Sequence, residues 1–183
     1  MKHWFMNNKS NVKPHVIKKS KGIRYMIILK EMTNEHIQII KKWPKYPPDF
    51  AELDYALRDG GWLDFDFYRA FSAIEDNKII GFTILWKEGE SITIAIALHG
   101  HEIGKGLGYV VLCKTLQKCF YEYECEKVFL DVRKNNLQAK RLYDKVGFKV
   151  VNEHVMEVNG VLVPFFKMFI EKDIFLNLDV IIR

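Results

Sequence analysis

Three glycines at alternate positions, Gly104, Gly106 and Gly108, separate two apolar runs in the middle of the chain. The run before them, Ser91–Leu98, predicts a central strand, and the longer run after them predicts a helix. Glycine in a helix costs about 1 kcal/mol relative to alanine, so the three glycines indicate a special demand on the backbone. Backbone N–H groups at a helix N terminus can approach a phosphate closely where side chains are missing. The segment therefore predicts a strand–loop–helix unit that binds an anion.

Other kinds of glycine-rich loop match this segment less well. A P-loop requires Lys and then Ser or Thr after its last glycine, whereas Lys105 is followed by Gly106. A dinucleotide fingerprint counted from Gly104 has Tyr109 where its third glycine belongs, although Asp131 could supply the acidic residue after the next strand. A turn that binds nothing needs one glycine rather than three. The dinucleotide site and the simple turn stay open as alternatives.

The composition predicts one globular domain. The chain has 183 residues, of which 49% are hydrophobic. It contains no run of about 18 apolar residues, so we expect no transmembrane helix. The lysine-rich N terminus lacks the long apolar stretch and cleavage site of a secretory signal. Three cysteines, Cys113, Cys119 and Cys125, match neither a metal template nor a disulfide framework. We expect reduced, partly buried thiols in a cytoplasmic protein.

The formal net charge of +5 comes from one end of the chain. Residues 1–24 hold seven of the 28 Lys and Arg residues and none of the 23 Asp and Glu residues, so the remainder is slightly acidic. The charge pattern predicts a basic, flexible N-terminal extension over 1–24 and a single domain over 25–183. Two alternatives stay open. The extension could contact nucleic acid or an anionic surface, or Met26 could be the natural start.

The element pattern from residue 25 predicts a mixed sheet with the order β-α-α-β-β-β-α-β-α-β-β. Thr33 is a candidate helix cap, and Pro164 places the second strand of the last hairpin at an edge or a bulge. The apolar C-terminal residues should pack onto the domain. The predicted elements are strand 25–30, a helix ending before Pro44, helix 49–59, three strands within 68–98, a helix to Tyr123, strand 127–132, helix 135–148 and a hairpin turning at Asn159-Gly160.

Two segments resemble the signature motifs of the GNAT N-acetyltransferase superfamily. The segment "IALHGHEIGKGLGYVV" is similar to the loop pattern Arg/Gln-x-x-Gly-x-Gly/Ala, with Ile103 where Arg or Gln is usual. The segment "VFLDVRKNNLQAKRLYDKVGF" is similar to the pattern N-x-x-A-x-x-L-Y-x-K-x-G-F at every named position. Those positions are Asn136, Ala139, Leu142, Tyr143, Lys145, Gly147 and Phe148.

The resemblance implies a mixed α/β fold. Its central, mostly antiparallel, twisted sheet should have about seven strands with a splayed pair in the middle, and about four helices should flank both faces. It implies acetyl-CoA as the cofactor, with the pyrophosphate at the helix N terminus and the pantetheine arm along a strand edge. The expected cofactor-binding residues are Ile96, Leu98, Ile103, Gly104, Lys105, Gly106, Leu107, Gly108, Asn136 and Tyr143.

The resemblance also implies catalytic roles. Tyr143 should protonate the leaving thiolate, and the amide of Leu98 should stabilise the oxyanion. The base that deprotonates the amine is less constrained. Glu90 is the first candidate and His99 the second, since a histidine can titrate near neutral pH. Glu88, His101 and a water chain stay open.

The resemblance implies that the region 43–68 lies where this fold commonly builds its acceptor site. It interleaves acidic and aromatic residues, a combination that favours a cationic amine. The expected substrate-binding residues are Tyr46, Asp49, Glu52 and Asp64. Polyamines, aminoglycosides, lysine side chains and protein N termini all stay open as acceptors. We expect no metal, no membrane and no nucleic-acid partner, and we allow a homodimer.

Two other functions are kept as alternatives. One is a non-catalytic or nucleic-acid-binding module that uses the basic extension. The other is an acyltransferase that uses a larger acyl-CoA.

Overall fold

The computed structural model describes residues 17–18, 24–46, 54, 69–158 and 160–178. The strands are β1 (Ile17–Lys18), β2 (Arg24–Tyr25), β3 (Ile28–Glu31), β4 (Arg69–Glu75), β5 (Lys78–Glu88), β6 (Ser91–Leu98), β7 (Lys127–Arg133), β8 (Lys149–Val158) and β9 (Val161–Glu171). The α-helices are α1 (Asn34–Lys41), α2 (Leu107–Gln117), α3 (Leu137–Val146) and α4 (Lys172–Leu178), and a π-helical turn, Lys118–Glu122, extends α2.

Seven of these strands form one sheet in the order β3-β4-β5-β6-β7-β9-β8. Each neighbouring pair is antiparallel except β6 and β7, which are parallel. β1 and β2 form a separate antiparallel pair. The predicted mixed sheet of about seven strands, with the glycine-flanked strand at its centre, is confirmed. The boundary predicted at residue 25 stays a prediction.

The parallel pair β6 and β7 separates after a short contact. Only Ser91–Thr93 pairs with Lys127–Phe129, although β6 continues to Leu98 and β7 to Arg133. The carboxyl-terminal halves of the two strands therefore do not pair with each other. The predicted splay is present, and it leaves a gap in the middle of the sheet.

The two faces of the sheet are covered differently. α2, α3 and α4 pack on one face, which we call the helical face. There Leu112 of α2, Val146 of α3 and Phe175 of α4 join Ile92 and Val128 in one buried cluster. α1 covers part of the opposite face, which we call the α1 face. A second cluster lies there and contains Ile40, Phe82 and Ala97.

Local signals set several of the element ends. The Thr33 hydroxyl oxygen accepts the His36 amide at 3.2 Å and caps α1, as predicted. Gly147 ends α3 with φ +101°, in the left-handed region that glycine favours. The three strands of the meander and the last hairpin are confirmed. The helix predicted at 49–59 lies outside the described residues except for Asp54.

One strand prediction is wrong. Pro164 lies on β9, which is an interior strand between β7 and β8. β7 pairs with β9 only as far as Phe165, and the Pro164 carbonyl then accepts the Lys134 amide at 3.0 Å. The missing N–H of Pro164 therefore faces the region beyond the last β7 pair, where the ladder does not need it.

The C-terminal prediction is confirmed where the structure describes it, since Phe175 of α4 is fully buried. All three cysteines are buried free thiols. Among the described residues no helix combines the length and the apolar character that a membrane crossing needs.

Candidate active site

A cavity of about 390 Å³ occupies the gap between β6 and β7. Its walls come from both splayed strands, the start of α2 and one side of α3, with Tyr46 and Phe165 at its α1-face side. Side chains therefore do not fill the gap. The lining includes residues of both faces, such as Tyr143 from the helical face and Tyr46 from the α1 face.

The start of α2 presents its backbone to this cavity. Gly104 and Gly106 have φ of +82° and +81°, and Lys105 between them does not have a positive φ. Alternating backbone of this kind turns successive N–H groups inward to form an anion-binding nest. No side chain caps the helix at Gly106, and the first amides of a helix have no partner within it. The predicted anion-binding geometry is therefore present.

The third glycine meets a different demand. A Cβ at Gly108 would lie 3.3 Å from Leu142 Cδ2 and 3.6 Å from Leu98 Cδ1. Gly108 thus lets α2 pack closely against α3 and the end of β6. Two of the three glycines supply left-handed backbone, and the third supplies close approach.

The positive charge at this end of the cavity comes from α3 and β7. Ile103 packs against the apolar cluster of the α1 face and adds no charge. The Lys105 ammonium lies 3.0 Å from Glu102 Oε2, outside the cavity lining. Lys145 does line the cavity, and its Nζ lies 5.2 Å from the centre of the Tyr109 ring. Among the described lining residues, Lys145 and Arg133 are the cations.

The main chain of β6 is open towards the gap. The His99 amide donates to the Ile80 carbonyl at 2.8 Å, so the main chain of His99 faces β5. Hydrogen-bonded pairs alternate along an antiparallel ladder, so the main-chain groups of Leu98 and Ile96 point away from β5. In agreement, the Leu98 carbonyl accepts a 2.6 Å hydrogen bond from the Tyr46 hydroxyl.

Two residues of the second motif reach the cavity from α3. Tyr143 is partly buried against the helical-face core, and burial raises its pKa to about 12. Its hydroxyl makes no hydrogen bond to another described residue, and it keeps its proton at neutral pH. Asn136 lines the same cavity while its Oδ1 accepts the Ala139 amide at 3.0 Å and caps α3.

Asp131 reaches the cavity from the α1 face. Leu130 and Val132, its neighbours on β7, are buried in the helical-face core, so the Asp131 side chain points to the opposite face. Its Oδ1 lies 3.2 Å from Nε2 of His154 on β8. Burial raises the pKa of Asp131, and the charges of His154 and Lys167 oppose that rise.

Sequence reasoning considered Asp131 only for a dinucleotide site and missed it as a residue of this cavity. The signal was available in "VFLDV", where one carboxylate interrupts a buried strand that should line the splay. His154 gave no such signal, because its contact with Asp131 crosses the intervening strand β9.

The structure brings most of the predicted site residues together. Leu107 contributes a first-turn amide while its side chain is buried in the core. Predicted residues that line the cavity are Tyr46, Ile96, Leu98, Ile103, Gly104, Gly106, Gly108, Asn136 and Tyr143.

Both named candidates for the base lie outside the cavity lining. Glu90 is exposed in the turn before β6, at the opposite end of that strand from Leu98. The His99 ring packs edge-on to Trp43 at 4.9 Å, and its Nδ1 accepts the His101 amide at 3.2 Å. Burial lowers the pKa of His99. The neutral ring therefore carries its proton on Nε2 and has no lone pair left for an amine. The predicted acceptor residues Asp49, Glu52 and Asp64 lie outside the described residues.

Comparisons with known proteins show the family and the fold. The chain is 37% identical over 102 residues to the probable spermine N(1)-acetyltransferase of Bacillus subtilis subsp. natto (strain BEST195). The aligned residues make up 56% of this chain and 60% of that protein. It thus spans less than two thirds of that relative. The structure of spermidine N-acetyltransferase from Vibrio cholerae in complex with CoA and spermine has a TM-score of 0.65 and 19% identity, covering 82% of this chain and 98% of that one.

A dodecameric structure of spermidine N-acetyltransferase from Vibrio cholerae gives a TM-score of 0.64 at 22% identity, over 82% of this chain and 96% of that one. Both structural likenesses establish the fold. The model of the family described as "Acetyltransferase (GNAT) family" matches residues 35–148, well over half of the sequence. The predicted resemblance is confirmed, and the chain belongs to the acetyltransferase (GNAT) family.

Proposed function

We propose that the protein transfers an acetyl group from acetyl-CoA to a primary amine of a cationic molecule. One observation carries this proposal. A single cavity joins the uncapped start of α2, the open edge of β6 and the Tyr143 phenol. A thioester held along this path would lie beside both an amide donor and a proton donor.

The residues present suit the coenzyme. The nest at Gly104–Gly106 and the first amides of α2 would hold the diphosphate, and Lys145 would add positive charge. The main-chain groups of Ile96 that face the gap would pair with the amide-like arm as another strand would, because the Leu98 carbonyl already accepts the Tyr46 hydroxyl. When bound, acetyl-CoA supplies an electrophilic thioester carbonyl.

The chain's own groups would then stabilise the changing charges. The Leu98 amide points into the gap and would donate to the oxygen that becomes negative. The Tyr143 hydroxyl would donate its proton to the sulfur as the C–S bond breaks. Its raised pKa of about 12 keeps that proton available throughout the neutral range.

A polyamine is the acceptor class that we favour. The relative named for spermine supports it, as does the pairing of a carboxylate with aromatic rings at the α1-face side of the cavity, where Asp131, Phe165 and Tyr46 lie. The acidic residues Asp49, Glu52 and Asp64 remain part of this proposal as further contacts with the ammonium groups.

The location and assembly of the protein are proposals of the same kind. Three buried free thiols support a cytoplasmic location. A neighbour of the same fold is dodecameric, which supports self-association of this chain. Light scattering of the purified full chain would measure its assembly, and a monomer at all concentrations would contradict self-association.

The test is release of CoA thiol from acetyl-CoA in the presence of an amine panel. The panel holds spermine, spermidine, an aminoglycoside, a lysine-containing peptide with a blocked N terminus and a peptide with a free N terminus. We expect the fastest release with the polyamines. Absence of release with every amine would contradict acetyl transfer, and preference for a peptide would contradict the polyamine assignment alone.

A further inference from the structure

We propose that Asp131 and His154 form a proton-transfer pair on the acceptor side of the sheet. Asp131 takes the proton that the incoming ammonium must lose, and His154 passes it to solvent. Both roles rest on the proposed acetyl transfer.

The position of Asp131 follows from the splay. It lies on β7 after the last residue that pairs with β6, it is one of the residues that line the cavity, and its side chain points to the α1 face. Asp131 as a whole residue is exposed although only 27% of its side chain is, because the separated strand leaves its main chain open. The carboxylate is thus sheltered, and it belongs to a residue that lines the gap.

His154 links this carboxylate to the outside of the molecule. It lies on the edge strand β8, and its Nε2 reaches Asp131 Oδ1 at 3.2 Å across β9. Phe165 fixes the ring, since the two rings stack at 6.0 Å with an angle of 19° between their planes. The side chain of His154 is 28% exposed, so it contacts solvent as well as Asp131. An imidazole can accept a proton at one nitrogen and release one from the other.

The acid and the base lie on opposite faces of the sheet. Tyr143 approaches the gap from the helical face and Asp131 from the α1 face. An amine that enters from the α1 face meets Asp131 first, while the leaving sulfur lies towards Tyr143. This separation prevents the Asp131 carboxylate from taking the proton of the Tyr143 phenol, which the leaving sulfur needs.

The step balances. The acceptor ammonium gives one proton to the Asp131 carboxylate, and its nitrogen lone pair forms the C–N bond. The electron pair of the C–S bond leaves with the sulfur, which takes a proton from the Tyr143 hydroxyl. The nitrogen loses a second proton as the amide forms, and that proton restores the phenol. Asp131 returns its own proton to solvent through His154.

Two described strands on the β9 side of β7 carry the charges that face Asp131. They are His154 of β8 and Lys167 of β9, which is directly opposite Asp131 in the register. Arg133, on the same strand as Asp131, lies 5.9 Å from the centre of the Phe165 ring. Burial raises the pKa of Asp131, and the charges of His154 and Lys167 oppose that rise. The carboxylate therefore holds a proton more strongly than its positive surroundings alone would allow.

The test compares Asp131→Asn, Asp131→Glu and His154→Gln with the control Glu153→Gln. Glu153 is next to His154 on β8, but its carboxylate pairs with Lys134 away from the cavity. The readouts are kcat and kcat/KM against pH with spermine, together with acetyl-CoA binding by calorimetry. Retained binding shows that a variant is folded.

We expect Asp131→Asn to lower kcat about 100-fold or more with acetyl-CoA affinity unchanged, and Asp131→Glu to keep most of the rate. His154→Gln should lower kcat less. It should also move the acidic limb of kcat/KM to higher pH, because a positive charge that favours ionised Asp131 is gone. Glu153→Gln should match the wild type.

Wild-type kcat in Asp131→Asn would overturn the role of Asp131. An unmoved acidic limb in His154→Gln would overturn that of His154, and if Asp131→Asn does not fold, the other two variants still decide. A wild-type protein that releases no thiol with any amine would instead overturn the proposed function itself, so the two failures are distinguishable.

Discussion

The Tyr46 hydroxyl donates a 2.6 Å hydrogen bond to the Leu98 carbonyl, which joins the segment after α1 to the free end of β6. The Tyr46 amide also donates to Asp54 Oδ1 at 2.8 Å. Burial, reinforced by the charge of Asp54, raises the pKa of the Tyr46 phenol, so the hydroxyl stays a donor. Tyr46 therefore fixes the acceptor-side segment to the strand edge where we place the thioester.

Tyr46→Phe should lower kcat/KM for the amine about fivefold, because one hydrogen bond worth about 1 kcal/mol is lost and a part-buried carbonyl loses its donor. The affinity for acetyl-CoA should change little. Steady-state kinetics with spermine and calorimetry with acetyl-CoA measure the two effects. Tyr121→Phe removes a hydroxyl from an exposed ring away from the cavity and serves as the control. Equal kinetics in the two variants would show that the Tyr46 hydroxyl does not contribute to the reaction with the amine.

Tyr143→Phe should lower kcat by at least about 100-fold while acetyl-CoA still binds, because the proton donor to sulfur is lost. The ratio of wild-type to variant kcat should stay constant from about pH 6 to 9. With a pKa raised to about 12, the wild-type phenol is fully protonated over that range. A ratio that changes across these pH values would show that some other group titrates in this role.

Lys145→Met should weaken acetyl-CoA binding by about fivefold to tenfold and reduce its dependence on salt. Lys145 is one of two cations among the described lining residues, and Ile103 supplies none. Lys149→Met, on the exposed edge strand β8, is the matched charge-removal control. Titration calorimetry at low and high salt decides. Equal loss in both variants would indicate a general charge effect rather than a local contact.

Gly147→Ala should lower the free energy of unfolding by about 2 kcal/mol, measured by urea denaturation. Gly147 has φ +101°, and a Cβ there would lie 2.8 Å from Ile174 Cγ2. Gly160→Ala is the control, since its φ is +76° but its Cβ would have nothing within 4 Å. We expect Gly160→Ala to lower the free energy of unfolding only by the cost of the positive φ. Equal losses would show that the contact with α4 contributes nothing.

Local signals carried most of the fold. Thr33 and Asn136 cap helices through their own side chains, and both can be identified from residue type and spacing. The glycine segment likewise predicts its backbone, because few other residues adopt positive φ without strain. The prediction from Pro164 was wrong because an interior strand tolerates a proline where the neighbouring strand ends. No local sequence pattern shows where that strand ends.

The proposed base could not be predicted in the same way. Glu90 is close to the central strand in sequence, but a strand is extended and places its two ends far apart. Asp131 and His154 are 23 residues apart, and their side chains meet across β9, which lies between their strands. A contact of that kind follows from strand order, which a single sequence does not display.

The central claim is that the uncapped amides at the start of α2 bind the diphosphate of acetyl-CoA. Calorimetric titration of acetyl-CoA into Gly106→Glu and Gly89→Glu tests it most directly. Both glycines have left-handed backbone, with φ of +81° and +59°, but Gly89 lies in an exposed turn outside the cavity lining. We predict that Gly106→Glu abolishes binding while Gly89→Glu binds as the wild type does. Wild-type affinity in a folded Gly106→Glu variant would contradict the claim.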